Sequence, residues 1–258
     1  RALRGKRLCN LPMVLEVCSE EAHLLVLEEY IEGRTLDKIL DSGQLTSAQA
    51  AAYTIDLCHA LEELHSLGIV HRDIKPANVM ITPENRAVLL DLSIAREISS
   101  DQQDTRSLGT VGYAAPEQYS ASGRQGTWTD VYGICAVLYR ILTGCMPTEA
   151  PSRLDNDNLC APHELSGSIP VHVSRAIMDG LALNSDERTQ TITELVTRLF
   201  EETEEETAQR TAVTPPPVPK YEPQPEPEYE DEEVYEDYED YEDLKDMCDM
   251  DAVAEFRR

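Results

Sequence analysis

An α+β domain, helical over most of its length and carrying a few short strands, is what this sequence predicts. Three observations carry that expectation. The apolar run "HLLVLEEY" at residues 23–30 has the length and residue types of a strand. Several later stretches space apolar residues three and four apart, as a one-faced helix does, and carry capping residues at their ends. Beyond about residue 205 the chain becomes proline-rich and then acidic. Such a composition cannot bury enough apolar surface to offset the entropy of ordering it.

Residues 23–30 are expected as a largely buried strand. "EGRTLDKILDSG" follows and reads as a turn and a short helix ending at Gly43. The clearest helix comes next. Thr46 and Gln49 have the spacing of a capping box, and Tyr53, Leu57, Ala60, Leu61 and Leu64 share one face. Gly68 supplies the stop. "GIVHRDIKPANVMI" then runs from loop into strand, Pro83-Glu84-Asn85 turns, and "AVLL" at 87–90 returns as the second half of a hairpin. From Ser93 to Gly126 the chain is polar or small with no steady period, and a stretch of that length inside a domain is usually functional. Helices are expected from about Thr129 to Gly144, near 171–183 and over 191–202, the last with a Thr191…Glu194 capping box. The proline-rich and Tyr-Glu-Asp-repeating segment 203–258 is expected to be unstructured.

The formal net charge is −27. It is unevenly spread: residues 201–258 hold 22 acids against 5 bases, a net of −17, and the first 200 residues a net of −10. No basic patch points to nucleic acid. The cysteines are odd in number, seven, and show no C-x-x-C pairing, so neither a disulfide framework nor a zinc site is indicated. Reduced thiols in a cytosol-facing domain are the expectation. No apolar run approaches the ~20 residues of a membrane span, and no signal peptide is visible.

One stretch concentrates chemistry. "HRDIKPANVM", His71 to Met80, places an acid, an amine and a carboxamide two and three residues apart, and Asp91 follows the returning hairpin strand. Transfer of a phosphoryl group needs such parts: a carboxylate to orient the attacking hydroxyl, a cation on the transferring phosphate, and oxygen ligands for divalent metal. The hairpin returns its end to the loop, which brings Asn78 and Asp91 within reach of a shared ion.

These residues, with the ordered motifs around them in register, resemble the protein kinase family of the bacterial serine/threonine type. "HRDIKPAN" resembles its catalytic loop and "DLSIAR" (91–96) the D-F-G segment. "GTVGYAAPEQY" (109–119) resembles the end of an activation segment, "TDVYG" (129–133) the start of the next helix, "DERTQTITEL" (186–195) the last subdomain and "LEEYIEGRTL" (27–36) the hinge between lobes. The resemblance covers about residues 8–200. It implies a two-lobed kinase fold: a remnant of the small lobe over about 8–30, a mostly helical large lobe over about 31–202, and the tail after it.

The resemblance further implies a protein serine/threonine kinase using ATP and Mg²⁺ or Mn²⁺. Asp73 would accept or orient the substrate hydroxyl proton, Lys75 would contact the γ-phosphate, and Asn78 and Asp91 would hold metal. Backbone groups of Glu29 and Ile31 would bond adenine, Met80 would floor it, and Glu28 takes the gatekeeper place. Arg72 would hold the activation segment, where Thr105, Ser107 and Thr110 are candidate phosphosites; Thr110 is as readily a contact to the catalytic acid. His71 and Asp130 are expected as scaffold, and Glu117 with Arg188 as a buried ion pair. Protein substrates follow as partners, with self-association for autophosphorylation open. A cytoplasmic location follows too, and relatives that continue into a membrane span leave an anchor open.

Two departures from the pattern favour an alternative, a pseudokinase or scaffold on the same fold. No G-x-G-x-x-G and no V-A-I-K-like strand occur, so a truncated small lobe is inferred. At the D-F-G place stands Asp91-Leu92-Ser93, where Ser removes the backbone freedom of Gly at positive φ. A small-molecule kinase is a third, weaker reading, because A-P-E and Arg188 belong to peptide-docking apparatus.

Overall fold

The structure is a computed structural model, and it describes residues 3–20, 23–43, 45–92, 96–97, 110–120 and 122–200. Contacts divide the chain into two units, Arg1–Ala212 and Val213–Arg258. Everything described below belongs to the first.

Strand β1, Val14–Glu20, pairs antiparallel with β2, His23–Glu28, and a bulge interrupts the register between Val14 and Glu16. This strand pair corrects one expectation. Leu25 and Leu27 are 54% and 57% exposed rather than buried. A two-stranded ribbon covers little of its own surface, so Leu15, Leu25, Val26 and Leu27 stay in water, and Val14 at its end is the buried exception. A short strand β3, Arg34–Thr35, then leads into α1, Leu36–Ser42, which stops at Gly43 as expected.

Helix α2, Ser47–Ser66, starts with the expected box. Gln49 N–H donates to Thr46 Oγ1 at 3.2 Å, and Thr46 N–H donates to Gln49 Oε1 at 3.1 Å. Its apolar stripe is buried throughout, with Leu57, Leu61 and Leu64 fully covered. Strand β4, Ile69–Val70, follows. A 3₁₀ turn at Pro76–Asn78 carries the chain into β5, Val79–Ile81, and β6, Ala87–Leu89, closes the expected hairpin. The hairpin is part of a three-stranded antiparallel sheet in the order β3-β5-β6. The segment before β1 extends that edge: Leu89 N–H donates to the Asn10 carbonyl, and Asn10 Nδ2 to the Ala87 carbonyl, both at 2.9 Å. Strand β7, Arg96–Glu97, pairs with β4.

Helix α3, Thr127–Thr143, is buried almost all round and packs against α2. A helix apolar on every side belongs at the centre of a domain. It ends at Gly144, whose left-handed φ of 73° suits the residue without a Cβ. Short helices α4, Ala150–Asp155, and α5, Pro162–Leu165, were not expected from the sequence; neither is long enough to establish a period. Helices α6, Val171–Gly180, and α7, Ile192–Phe200, complete the helical layer around α3. At α7 the box differs in one bond: Glu194 N–H donates to Thr191 Oγ1, but the Glu194 carboxylate accepts from Gln190 N–H.

The six cysteines among the described residues are free thiols. Burial pushes the Cys58 thiol up to about 12, which marks it as packing rather than reactive. Because α2 carries the core stripe, Leu61→Ala is expected to destabilise the domain by about 2–5 kcal/mol. Thr46→Ala is expected to cost about 1 kcal/mol through the lost cap. Urea unfolding midpoints at unchanged slope are the check.

Candidate active site

The catalytic-loop segment enters from β4 and is hung on one carboxylate. Asp130, in the first turn of α3, has a side chain with no solvent exposure. Its Oδ2 accepts from His71 N–H at 2.8 Å and its Oδ1 from Arg72 N–H at 2.7 Å. His65, in the last turn of α2, bonds the same Oδ2 through Nε2 at 2.8 Å. Placement at the start of a helix also favours the negative charge. The two backbone bonds hold Arg72 at φ 72°, a left-handed conformation that non-glycine residues rarely adopt. Behind the loop α3 presents Gly133, where a Cβ would sit 3.0 Å from Ile74 Cβ; the missing side chain lets helix and loop approach.

His71 is fully buried and positions rather than reacts. Its Nδ1 accepts from Asp73 N–H at 3.3 Å, so the proton belongs on Nε2, which donates to the Leu90 carbonyl at 3.0 Å. Burial holds its pKa below the ordinary histidine value, against the opposing pull of Asp130 and the Leu90 bond. The neutral ring thereby links the loop to the residue before Asp91.

Four polar side chains converge beyond it. Lys75 Nζ donates to Asp73 Oδ2 at 2.7 Å, and Asn78 Nδ2 donates to that oxygen at 2.9 Å. Thr110 Oγ1 donates to Asp73 Oδ1 at 2.9 Å and accepts from Lys75 Nζ at 3.3 Å. Of the two expectations for Thr110, the contact to the acid is the one seen. The amide protons of Asn78 also serve the Asp73 carbonyl, at 2.9 Å, which leaves Oδ1 as the cation ligand the residue can offer. Leu90 N–H donates to the Asn78 carbonyl at 2.7 Å, tying Asp91 to this corner. Asp91 is exposed and itself holds the left-handed conformation, φ 68°. Its charge reaches Glu28: burial first, and then Asp91, raise the Glu28 carboxyl above its usual range. Among the described residues no cluster of three His, Cys, Asp or Glu could hold a metal, and the oxygen donors that loop and hairpin carry are Asn78 Oδ1 and the carboxylates of Asp73 and Asp91.

Of the hinge residues, Glu29 is pinned. Its N–H donates to the Met13 carbonyl at 2.9 Å and its Oε2 accepts from Met13 N–H at 3.3 Å. Met80 lies opposite Thr35 in the β3–β5 ladder, half-buried, and Ile31 is half-buried at the chain's exit from β2. Thr105, Ser107 and Ser93 lie outside the described residues.

Below the loop the expected ion pair is present and bidentate. Arg188 Nη1 and Nη2 donate to the two Glu117 oxygens at 2.7 and 3.1 Å. Thr129 Oγ1 donates to Glu117 at 2.9 Å, and the guanidinium lies 5.1 Å from the Tyr132 ring centroid. Two residues escaped the sequence reading. Gln118 Nε2 donates to the Arg72 carbonyl at 2.7 Å, clamping the 3₁₀ turn Pro116–Tyr119 to the loop. His65, in the last turn of α2, does not stand out in the sequence from the other polar residues of an amphipathic helix.

Removing Glu117 strands a buried guanidinium, so Glu117→Ala is expected to cost about 3–5 kcal/mol in chemical denaturation. A pH effect is expected from His71. Its folded pKa lies below its unfolded one, so the unfolded chain binds more protons through that interval. Stability is complete above the ordinary histidine value and falls as pH drops from there toward the lowered one. Urea midpoints measured downward from pH 7 should decline in the parent and decline less in His71→Asn.

A family model described as "Protein kinase domain" matches residues 3–213. Serine/threonine-protein kinase PknB of Mycobacterium leprae is 33% identical over 180 residues, covering 66% of this chain and 29% of the relative. The protein of that name from Mycobacterium tuberculosis strain H37Rv is 32% identical over 181 residues, with the same coverage. Probable serine/threonine-protein kinase CPE1738 of Clostridium perfringens is 32% identical over 199 residues, 72% of this chain and 28% of that protein. The chain thus spans under a third of the length of these relatives.

Proposed function

Since the chain belongs to the protein kinase family, we propose that it transfers the γ-phosphate of ATP to serine and threonine hydroxyls of protein substrates. One observation carries this reading. Asp73 Oδ1 already accepts a hydroxyl proton, from Thr110, with the Lys75 ammonium 3.3 Å from that same hydroxyl oxygen. A substrate hydroxyl taking the place of Thr110 would meet an acceptor and a cation in that arrangement.

The roles follow from the contacts. Asp73 orients the substrate hydroxyl and takes its proton as the oxygen attacks; general-base groups of this kind contribute about 10²–10⁴-fold. Lys75 balances charge on the transferring phosphoryl group. Asn78 Oδ1 and the Asp91 carboxylate are hard oxygen donors that suit a divalent ion of the magnesium type. Magnesium, when bound with ATP, neutralises charge on the phosphate oxygens. Met80 and the backbone at Glu29 and Ile31 take the adenine, beside Glu28. Arg72, already held at its backbone, orients the segment that carries Thr105 and Ser107, candidate sites of phosphorylation.

The domain boundary after about residue 202, a cytoplasm-facing location, and self-association for autophosphorylation belong to this reading as well. Among the described residues no helix is long and apolar enough to cross a membrane. The scaffold alternative leaves the convergence of Asp73, Lys75, Asn78 and Thr110 without a use, since a binding module has no chemical need for it.

The complete product of the gene should incorporate labelled phosphate from Mg²⁺-ATP into a serine/threonine peptide library. Asp73→Asn should lower the rate about 10²–10⁴-fold. Equal incorporation by the two proteins would exclude the proposal.

A further inference from the structure

A cavity of about 600 Å³ lies in the helical layer and shares no lining residue with the catalytic loop. It sits between the start of α2, the end of α3, the segment 165–173 and the end of α7. Its size falls within the roughly 300–1,000 Å³ of small-molecule sites. Ala50, Leu138, Ile141 and Leu199 form a buried apolar floor. Leu165 and Phe200 line it while remaining exposed, and Val171 beside them is exposed too. Large apolar groups gathered at the mouth of a concavity mark a binding surface more often than a bare one.

The charge of the lining narrows the occupant. In a chain that is 28% charged, no Asp, Glu, Lys or Arg lines the cavity among the described residues. A carboxylate, phosphate or ammonium seated there would be desolvated without a counter-charge, at a cost binding could not recover. The side-chain polar groups are hydroxyls, six in all: Thr46, Ser47, Thr54, Thr143, Ser166 and Ser168. Thr54 Oγ1 donates to the Ala50 carbonyl and Thr143 Oγ1 to the Tyr139 carbonyl, both at 2.7 Å. Thr46 is engaged in the helix cap, and Ser166 Oγ and Ser168 Oγ bond each other at 2.8 Å. That inventory can satisfy one hydroxyl or carbonyl. It cannot satisfy the alternating amides of a polypeptide, each of which needs a partner when buried.

We infer that this cavity binds a neutral small molecule with an extended apolar body and one hydroxyl or carbonyl end. The inference does not depend on the catalytic reading. The test titrates 1-decanol into the 258-residue chain by calorimetry, with decanoate and decylammonium as charged counterparts. Ala51→Trp and Ser168→Trp fill the cavity from exposed positions on two different walls. The expected result is saturable decanol binding, weaker by about tenfold or more in each variant that keeps the parent circular dichroism, with both charged counterparts weaker by a similar factor. No saturable decanol binding, unchanged affinity in the folded variants, or charged counterparts binding as tightly as decanol would each overturn the assignment.

Discussion

The carboxylate of Asp130 is the constraint on which the site depends. It is buried, yet it receives three donors: two backbone N–H groups of the catalytic loop and the ring of His65. A buried carboxylate without such partners would be costly; one that is saturated becomes a rigid anchor. Because α3 is wrapped by the other helices, whatever Asp130 holds inherits the stiffness of the core. The loop can therefore sustain left-handed backbone at Arg72, and the side chains that follow it are aimed rather than free. Local strain of this kind persists where the surroundings over-determine it.

A second anchor works from below. Glu117 and Arg188 are distant in sequence, and their bidentate pair is saturated by Thr129 and backbone carbonyls. Breaking one side leaves an uncompensated charge, whereas the intact pair contributes modest net stability. Its value is geometric. It fixes the 3₁₀ turn from which Gln118 reaches the Arg72 carbonyl. Loop, turn and central helix thus form one connected polar network, and Asp73 sits at its open end with Lys75, Asn78 and Thr110 around it.

The β1–β2 ribbon contrasts with this. Leu15, Leu25, Val26 and Leu27 are exposed and Val14 is the buried exception, and a backbone bond from Gly5 N–H to the Val14 carbonyl joins the ribbon to the preceding segment. Local stability follows buried apolar contact, so the ribbon stands at the weaker end of the fold while the helical layer holds the stronger. The neutral cavity at the far ends of α2 and α3 belongs to the stable layer. Those same two helices carry His65 and Asp130 at their other ends.

What could be read from the residues alone was whatever is local. The box at Thr46 and Gln49, the stripe from Tyr53 to Leu64, the stop at Gly144 and the hairpin around Asn85 each follow from neighbours within a few positions. The order of Asp73, Lys75, Asn78 and Asp91 was legible for the same reason, as was the family resemblance that paired Glu117 with Arg188. What only the tertiary structure decided concerns groups far apart in the chain. Leu25 and Leu27 look like core residues, but burial depends on what packs against a strand, not on its composition. The participation of His65 and Gln118, and the turn of the Thr110 hydroxyl onto Asp73 rather than into solvent, depend on helices and turns meeting across 37 to 65 residues of sequence. A side chain declares its propensity by itself; its partner is settled only when the core closes around both.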